Sequence, residues 1–153
     1  LGSRGLGDVY KRQHVGYPVA MEGALKLKEI AYTFTEGFAA GELKHGPIAL
    51  VDEGEPVVFI VPPARGRNVL HAKVISGIEE VKARGAYIIA VAEEHDPDVE
   101  RYADVVFWRP ACPTLMSPLV DVVPLQLFAM DMAKLKNYDV DKPRNLAKSV
   151  TVE

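Results

Sequence analysis

The sequence predicts an α/β domain in which a doubly wound parallel sheet carries helices on both faces. Three short apolar runs, each five to seven residues long and rich in β-branched side chains, alternate with segments of helical periodicity. Continuous apolar runs are typical of strands buried on both faces, as in a parallel sheet that is covered by helices. Their alternation with helices favours βαβ units. In this class of fold, ligands bind at the carboxyl ends of the strands.

The predicted helices have recognisable start and stop signals. Pro18 suits the first turn of a helix, because its missing N–H would have no partner there. Gly37 is expected to end this helix after about Phe34. Ser117, followed by a proline, starts another helix, which Pro124 is expected to kink or to shorten in its first part. In chain order, the predicted elements are a helix at 18–34, a strand at 56–61, a helix at 66–82, strands at 86–92 and 104–108 joined by a polar connection, and a helix at 117–136.

Composition and charge argue against several classes of function. The 153 residues fit one domain of ordinary composition, with 48% hydrophobic and 25% charged residues. A net charge of -3 without a basic patch argues against nucleic acid as a partner. No apolar run is judged to reach the length of a membrane span, so a membrane partner is not expected either. The single cysteine, Cys112, excludes an internal disulfide and suits a reducing, cytoplasmic compartment.

Glu22, Lys26 and Glu29 fall on one stripe of the first predicted helix. At about 100° per residue, positions i, i+4 and i+7 lie within roughly 60° of one another. Leu25 and Ile30 flank this stripe closely. Two carboxylates with an ammonium between them can keep one another ionised and relay protons. Glu–Lys pairs at this spacing are also common on solvated helix surfaces, and the pattern alone leaves that interpretation open.

Histidine and lysine residues elsewhere carry chemistry that depends on their surroundings. His45 lies in the loop Lys-His-Gly-Pro, and histidine is the usual acid–base group near neutral pH, although loop histidines are often only structural. Lys148 lies among small and apolar residues near the C-terminus. A buried lysine amine is a nucleophile for carbonyl groups, whereas a solvated tail lysine is not. His95, in the run EEHDPD, is best explained as part of a solvated acidic loop, so no metal and no cofactor is predicted.

Four segments occur in one order and at plausible spacing, and their combination is far more specific than any one of them. They are EGALKLKEIAY, GELKHGPIAL, VPLQLFA and DVDKPRNLAKSVTVE. Together they resemble the carboxyl-terminal end of the glutamine–fructose-6-phosphate aminotransferase family, over about residues 14–153. The resemblance implies the second of two sugar isomerase (SIS) domains at 14–137 and a C-terminal tail at 138–153. It also implies a part in making glucosamine 6-phosphate from fructose 6-phosphate and glutamine-derived ammonia, the entry step of the hexosamine pathway.

The resemblance implies roles for the stripe on the first helix. Glu29 matches the family's catalytic carboxylate, which moves a proton between C1 and C2 of the sugar. Lys26 matches the catalytic lysine that assists it. Glu22 matches the acid one turn earlier and is counted among the substrate-binding residues.

The resemblance also implies roles for the loop histidine and the tail. His45 matches the catalytic histidine that opens the sugar ring, and in the family it reaches the active site of the neighbouring subunit, which implies a homodimer of the intact enzyme. Lys148 matches the catalytic lysine that forms a Schiff base with the ketose. Ala147 matches a residue that binds the sugar through its backbone. A carboxylate, an imidazole and a lysine imine are the groups that a ketose-to-aldose conversion requires.

Parts of the family pattern have no match in this sequence. The family's glutaminase nucleophile is an amino-terminal cysteine, and the serine- and threonine-rich phosphate loop belongs to its first SIS domain; neither is found here. The chain alone is therefore expected to be inactive. Residues 1–13 hold too few apolar side chains for the family's first strand, and Gly5-Leu6-Gly7 lacks the third glycine of a dinucleotide-binding loop. We interpret residues 1–13 as foreign or misread sequence and expect the first strand to be missing or replaced.

Two alternative functions stay open. A non-catalytic SIS module that binds sugar phosphates would need the fold but not Glu29, His45 and Lys148. Another SIS phosphosugar isomerase or deglycase would act without glutamine, and the tail sequence argues against it.

Overall fold

The structure is a computed structural model that describes residues 15–65 and 69–144. The interpretation of residues 1–13, the expected loss of the first strand, and the positions of Ala147 and Lys148 lie outside the described residues. The helices and strands are α1 (Gly16–Ala31), β1 (Pro56–Ile60), α2 (Val69–Lys82), β2 (Tyr87–Glu93), α3 (Pro97–Tyr102), β3 (Val105–Arg109) and α4 (Ser117–Leu135), with short 3-10 helices at Leu43–His45, Pro47–Leu50 and Thr114–Met116.

The three described strands form a parallel sheet in the order β1-β2-β3. Val58 of β1 pairs with Ile89 of β2, and Val91 of β2 pairs with Phe107 of β3. Each strand lies within about one residue of its predicted bounds. The predicted α/β class with a parallel sheet is therefore confirmed.

Helices cover both faces of the sheet. Because side chains alternate along a strand, Val57 and Phe59 pack toward α2 and α3, whereas Val58 and Ile60 pack toward α1 and α4. This explains why the strand sequences are continuously apolar instead of alternating. The arrangement is doubly wound, as the sequence predicted.

The first helix is shorter than predicted and ends before Phe34. Tyr32 adopts a left-handed backbone conformation, with φ at 50°, and this closes the helix. The chain then turns back along α1, where Thr35 Oγ1 donates a hydrogen bond to the Ala24 carbonyl oxygen at 2.8 Å. Gly37 does not end the helix but lets the returning chain approach it: a Cβ there would lie 3.1 Å from a backbone nitrogen of α1.

The last helix, α4, runs without interruption through Pro124, so the expected shortening is wrong. A proline removes only its own N–H from the helix, and burial of the surrounding turns compensates for that loss. Leu125, Ala129 and Ala133 are spaced four residues apart and are all buried against α1 and the sheet.

By length and composition alone, the helical segment Thr114–Leu135 is long and apolar enough to cross a membrane, with a mean hydropathy of 1.3. The expectation that no apolar run reaches that length is therefore wrong. A helix that covers a core passes the same test. One face of α4 does cover this core, so the segment by itself does not identify a membrane span.

The helices α1 and α4 pack closely and run in the same direction. Gly23, near the middle of α1, lies against Leu125, and a Cβ at Gly23 would come within 2.7 Å of Leu125 Cδ1. At the ends of the two helices, Lys136 Nζ donates to the Ala31 carbonyl oxygen at 3.0 Å. This contact satisfies one of the carbonyls that a helix end leaves without a partner.

Candidate active site

The predicted stripe on α1 forms one connected group of charges. Lys26 Nζ lies 2.7 Å from Glu29 Oε2 and 3.4 Å from Glu22 Oε1. These are i,i+3 and i,i+4 contacts, which the helix geometry supplies without any other element. The side chains of Lys26 and Glu29 are 30% and 27% exposed, so they are partly withdrawn from solvent but still accessible to a ligand.

The electrostatics of the stripe favour a charged Lys26. The hydrogen bond to Glu29 raises the pKa of Lys26, the Glu22 and Glu29 charges raise it further, and partial burial opposes them. Lys26 is therefore held as an ammonium near neutral pH and cannot serve as a base. What it can do is hold and neutralise a carboxylate, which leaves Glu22 and Glu29 as the groups of this stripe that can accept a proton. The family resemblance implies that Glu29 is the one that does so.

His45 occupies a different part of the surface. It ends the short 3-10 helix Leu43–His45, its side chain is exposed, and its backbone N–H donates to the Glu42 carbonyl at 2.9 Å. Buried Leu43 and an ion pair between Lys44 Nζ and Glu80 Oε1 at 2.6 Å hold this loop on α2. Within residues 15–65 and 69–144, no hydrogen bond or ion pair joins His45 to the stripe on α1.

A cavity of about 230 Å³ lies between the loop that carries His45 and α2. Its lining includes Leu43, Lys44, Lys73, Ser76 and Glu80. His45 is not among the lining residues of this cavity.

The carboxyl ends of β2 and β3 carry a group of ionic side chains that the sequence analysis missed. Arg109, only 2% exposed, places Nε 2.5 Å from Asp121 Oδ1 and a terminal nitrogen 3.3 Å from Glu93 Oε2. Arg65 also lies 2.5 Å from Glu93 Oε2. Neither Arg109 Nε nor Asp121 Oδ1 makes a well-aligned hydrogen bond within the described residues, so their contact is an ion pair. The signal for this group is weak in the sequence, because each residue lies at the end or start of a different element.

Burial governs the protonation of this group. Burial raises the pKa of Asp121, while the Arg109 charge and a hydrogen bond from Ser117 oppose that rise. The edge of the sheet where a ligand was expected is thus occupied, between β2 and β3, by the protein's own ion pairs.

His71, Asp96 and Asp98 form a cluster whose candidate ligand atoms lie within 4.8 Å of one another, a spacing that a metal ion can use. The contacts within this cluster also have structural roles in the fold. Asp96 begins α3 as its N-cap and accepts from the Asp98 and Val99 backbone N–H groups. Its other oxygen lies 2.8 Å from His71 Nε2, which ties α2 to α3. His95, the histidine considered from sequence, is exposed and lies outside this cluster.

The C-terminal end of α1 makes contacts that sequence reasoning also missed. Tyr32 and Tyr138 meet edge to face, with ring centroids 4.8 Å apart, and the Arg144 guanidinium lies 4.1 Å from the Tyr32 centroid. These residues join the end of α1 to the start of the predicted tail. No local periodicity signals this contact, because Tyr32 and Arg144 are 112 residues apart.

The parallel sheet covered by helices on both faces defines an α/β domain of the SIS type. The chain belongs to the SIS domain family, whose model matches residues 15–136.

Curated relatives similar to this chain include glutamine–fructose-6-phosphate aminotransferases (isomerizing). The relative from Corynebacterium diphtheriae is 65% identical over 141 residues, and the one from Mycobacterium tuberculosis is 60% identical over the same length. The alignments cover 92% of this chain but only 23% of each relative. The predicted resemblance to this family is confirmed, and the chain spans about a quarter of the length of the relatives it matches.

Solved structures agree with this assignment. The C-terminal domain of glucosamine-fructose-6-phosphate aminotransferase from Francisella tularensis matches with a TM-score of 0.77 and 38% identity, over 92% of this chain and 38% of that one. A tagatose-6-phosphate ketose/aldose isomerase from Clostridium novyi, described as putative, matches with a TM-score of 0.80 over 99% of this chain and 41% of that one. Its 17% identity shows a shared fold alone.

Proposed function

We propose that this chain is the carboxyl-terminal SIS part of a glutamine–fructose-6-phosphate aminotransferase (isomerizing), with the SIS domain at 14–137 and a catalytic tail at 138–153. The observation that carries the proposal is the contact of Lys26 with both Glu22 and Glu29 on α1. In the proposed reaction, fructose 6-phosphate and glutamine-derived ammonia yield glucosamine 6-phosphate. No cofactor is needed, because the carbon skeleton is isomerised by acid–base and imine chemistry alone.

The proposed mechanism assigns the proton transfer to Glu29. Lys148 condenses with the C2 carbonyl of the open-chain ketose, which forms an imine and releases water. Glutamine-derived ammonia then adds to C2 and displaces the lysine amine, which leaves an imine of ammonia at C2 and frees Lys148. The imine acidifies the C1 hydrogen, so Glu29 can take that proton while the electron pair moves into a C1–C2 double bond. Return of the proton to C2, with loss of the proton of the C1 hydroxyl, gives a C1 aldehyde and a C2 amine, which is the amino sugar. Lys26 orients Glu29 through their 2.7 Å contact. Glu22 contacts the substrate, and Ala147 binds the sugar through its backbone.

The remaining proposed requirements lie partly outside this chain. His45 opens the sugar ring in the active site of a neighbouring subunit, which fits its exposed position away from the stripe on α1. The phosphate-binding loop and the glutaminase belong to the rest of the intact enzyme, a homodimer. The isolated chain is accordingly expected to show no turnover.

A chimeric enzyme tests this proposal. The amino-terminal part of the Corynebacterium diphtheriae relative is joined to residues 14–153 of this chain, and glucosamine 6-phosphate formation is measured. Glu29→Gln keeps the size of the side chain but removes the base, so kcat is expected to fall by at least about a hundredfold. Glu100→Gln is the matched control, because Glu100 is an exposed glutamate of α3, on the other face of the sheet.

The outcomes separate the proposal from its alternatives. Loss of product with Glu29→Gln but not with Glu100→Gln supports it. A chimera that isomerises fructose 6-phosphate without transferring nitrogen would favour a phosphosugar isomerase. A chimera that binds fructose 6-phosphate but forms no product, with or without glutamine, would favour a non-catalytic binding module.

A further inference from the structure

The chain that follows α4 is attached to the end of α1 by a compact aromatic and cationic cluster. Arg144 Cζ lies 4.1 Å from the Tyr32 ring centroid and 5.9 Å from the Tyr138 centroid. The Arg144 backbone N–H donates to Tyr32 Oη at 2.7 Å. We call these three residues the tail clamp, because they join the two segments through side-chain and backbone contacts together.

Contacts of Lys136 hold the ends of α1 and α4 together next to the tail clamp. Lys136 Nζ donates to the Ala31 carbonyl oxygen at 3.0 Å and to Thr33 Oγ1 at 2.5 Å. A cation at the C-terminal end of a helix is also favoured by the helix dipole. Tyr32 itself has a left-handed backbone conformation, with φ at 50°, and its ring meets the Tyr138 ring edge to face.

In the sequence, the tail clamp lies close to each of the two groups that the proposed reaction brings together. Tyr32 follows Glu29 by three residues, which corresponds to about 4.5 Å along a helix axis. Arg144 precedes Lys148 by four residues, and four residues span at most about 14 Å. Contact between Arg144 and Tyr32 therefore sets an upper limit on the distance between the tail lysine and the stripe on α1.

We propose that Arg144 is a positioning residue whose contact with Tyr32 and Tyr138 anchors the tail on α1, so that Lys148 reaches a sugar bound beside Glu29. This inference rests on the proposed function, because it assumes that Lys148 is the Schiff-base lysine. Arg144 does not touch the reacting atoms in this scheme. Its effect is to raise the fraction of time in which the lysine lies within reach of the ketose.

The test uses the chimeric enzyme and measures how fast borohydride, in the presence of fructose 6-phosphate, fixes the imine as a stable amine on Lys148. Arg144→Gln keeps the backbone hydrogen bond but removes the cation, and trapping and kcat are expected to fall about three- to fivefold, as for an exposed cation–π contact. Arg144→Lys retains a cation and should recover part of the rate. The KM for fructose 6-phosphate is expected to stay within about twofold, since the phosphate is bound elsewhere.

Arg101→Gln is the matched control, because Arg101 also lies over a tyrosine, with its Cζ 5.2 Å from the Tyr102 centroid, but on α3. It should leave trapping and kcat unchanged. Equal trapping by Arg144→Gln and the parent chimera would overturn the inference. So would a fall that Arg144→Lys does not reverse at all. If Arg144→Gln lowers the midpoint of thermal unfolding, the trapping rate of Tyr138→Leu is measured instead. Unchanged trapping in that variant would overturn the inference.

Lys148→Arg separates failure of this inference from failure of the proposed function. If Lys148→Arg still forms the trapped product at the parent rate, the assignment of the Schiff-base lysine is wrong and the proposed mechanism fails. If Lys148→Arg abolishes trapping while Arg144→Gln traps normally, the mechanism stands and only the positioning role of Arg144 is refuted.

Discussion

Replacement of Arg109 by methionine is expected to be among the most damaging single changes in this domain. Arg109 is 2% exposed and contacts Asp121 and Glu93 through different nitrogens. Glu93 would keep Arg65 as its partner at 2.5 Å. Asp121, itself 2% exposed, would keep only its hydrogen bond with Ser117.

The magnitude follows from the uncompensated charge on Asp121. Removing one partner of a buried ion pair costs about 3–5 kcal/mol, a large share of a total stability of about 5–15 kcal/mol. Replacing both partners, as in Arg109→Met with Asp121→Leu, leaves no orphaned charge. The double variant is therefore expected to recover most of that loss, because an apolar pair of similar volume is often as stable as the ions.

The pH dependence of the single variant has a definite sign. Burial already raises the pKa of Asp121, and loss of the Arg109 charge would raise it further in the folded state. A folded-state pKa above the unfolded value means that stability is highest below the unfolded pKa. The deficit of Arg109→Met should therefore grow as the pH rises through the folded-state pKa, and it should shrink toward about pH 4.

Urea unfolding followed by far-ultraviolet circular dichroism measures these differences. Fluorescence is less suitable, because the single tryptophan, Trp108, is adjacent to the substituted residue. A loss below about 1 kcal/mol at neutral pH would refute the reasoning, since it would show that the pair does not carry a desolvation penalty. A double variant as unstable as the single one would refute it as well, by pointing to lost packing in place of lost charge pairing.

Two further predictions concern packing and pH. Gly23→Ala should destabilise the domain by about 1–3 kcal/mol, because the new Cβ would lie 2.7 Å from Leu125 Cδ1. In urea unfolding, the double variant with Leu125→Ala should lose less stability than the sum of the two single losses. Burial would raise the pKa of Asp104, but the Lys82 ammonium and the Ile88 N–H together lower it. The advantage of the parent chain over Asp104→Asn should therefore be present near neutral pH and vanish as the pH falls through the lowered pKa; an advantage that persists at the lowest pH would contradict this assignment.

The elements that the sequence predicted are those set by local rules. The apolar strands and the stripe of Glu22, Lys26 and Glu29 depend only on strand burial and on helical spacing, and both were placed correctly. The end of α1 was misplaced because a non-glycine residue, Tyr32, adopts the left-handed conformation that usually signals glycine. The expected shortening at Pro124 was wrong because packing against α1 outweighs the cost of one lost helical hydrogen bond.

The contacts that the sequence did not reveal join residues from different elements. Arg109 and Asp121 are separated by a loop and meet only when α4 packs on the sheet. Arg144 and Tyr32 meet only because α1 and α4 end side by side. Neither pair leaves a periodic signal, and each is fixed by tertiary packing, which a single sequence does not display.

The charges of two groups of side chains, at the carboxyl edge of β2 and β3 and on α1, fit different roles in the proposed enzyme. At the carboxyl edge of β2 and β3, Arg65 and Arg109 are matched by Glu93 and Asp121, so a phosphate there would compete with two carboxylates for the same guanidinium groups. On α1, one ammonium faces two carboxylates, which suits proton transfer and disfavours an anion. In the proposed reaction, α1 would therefore supply the base, and the phosphate-binding part of the intact enzyme would hold the sugar against α1.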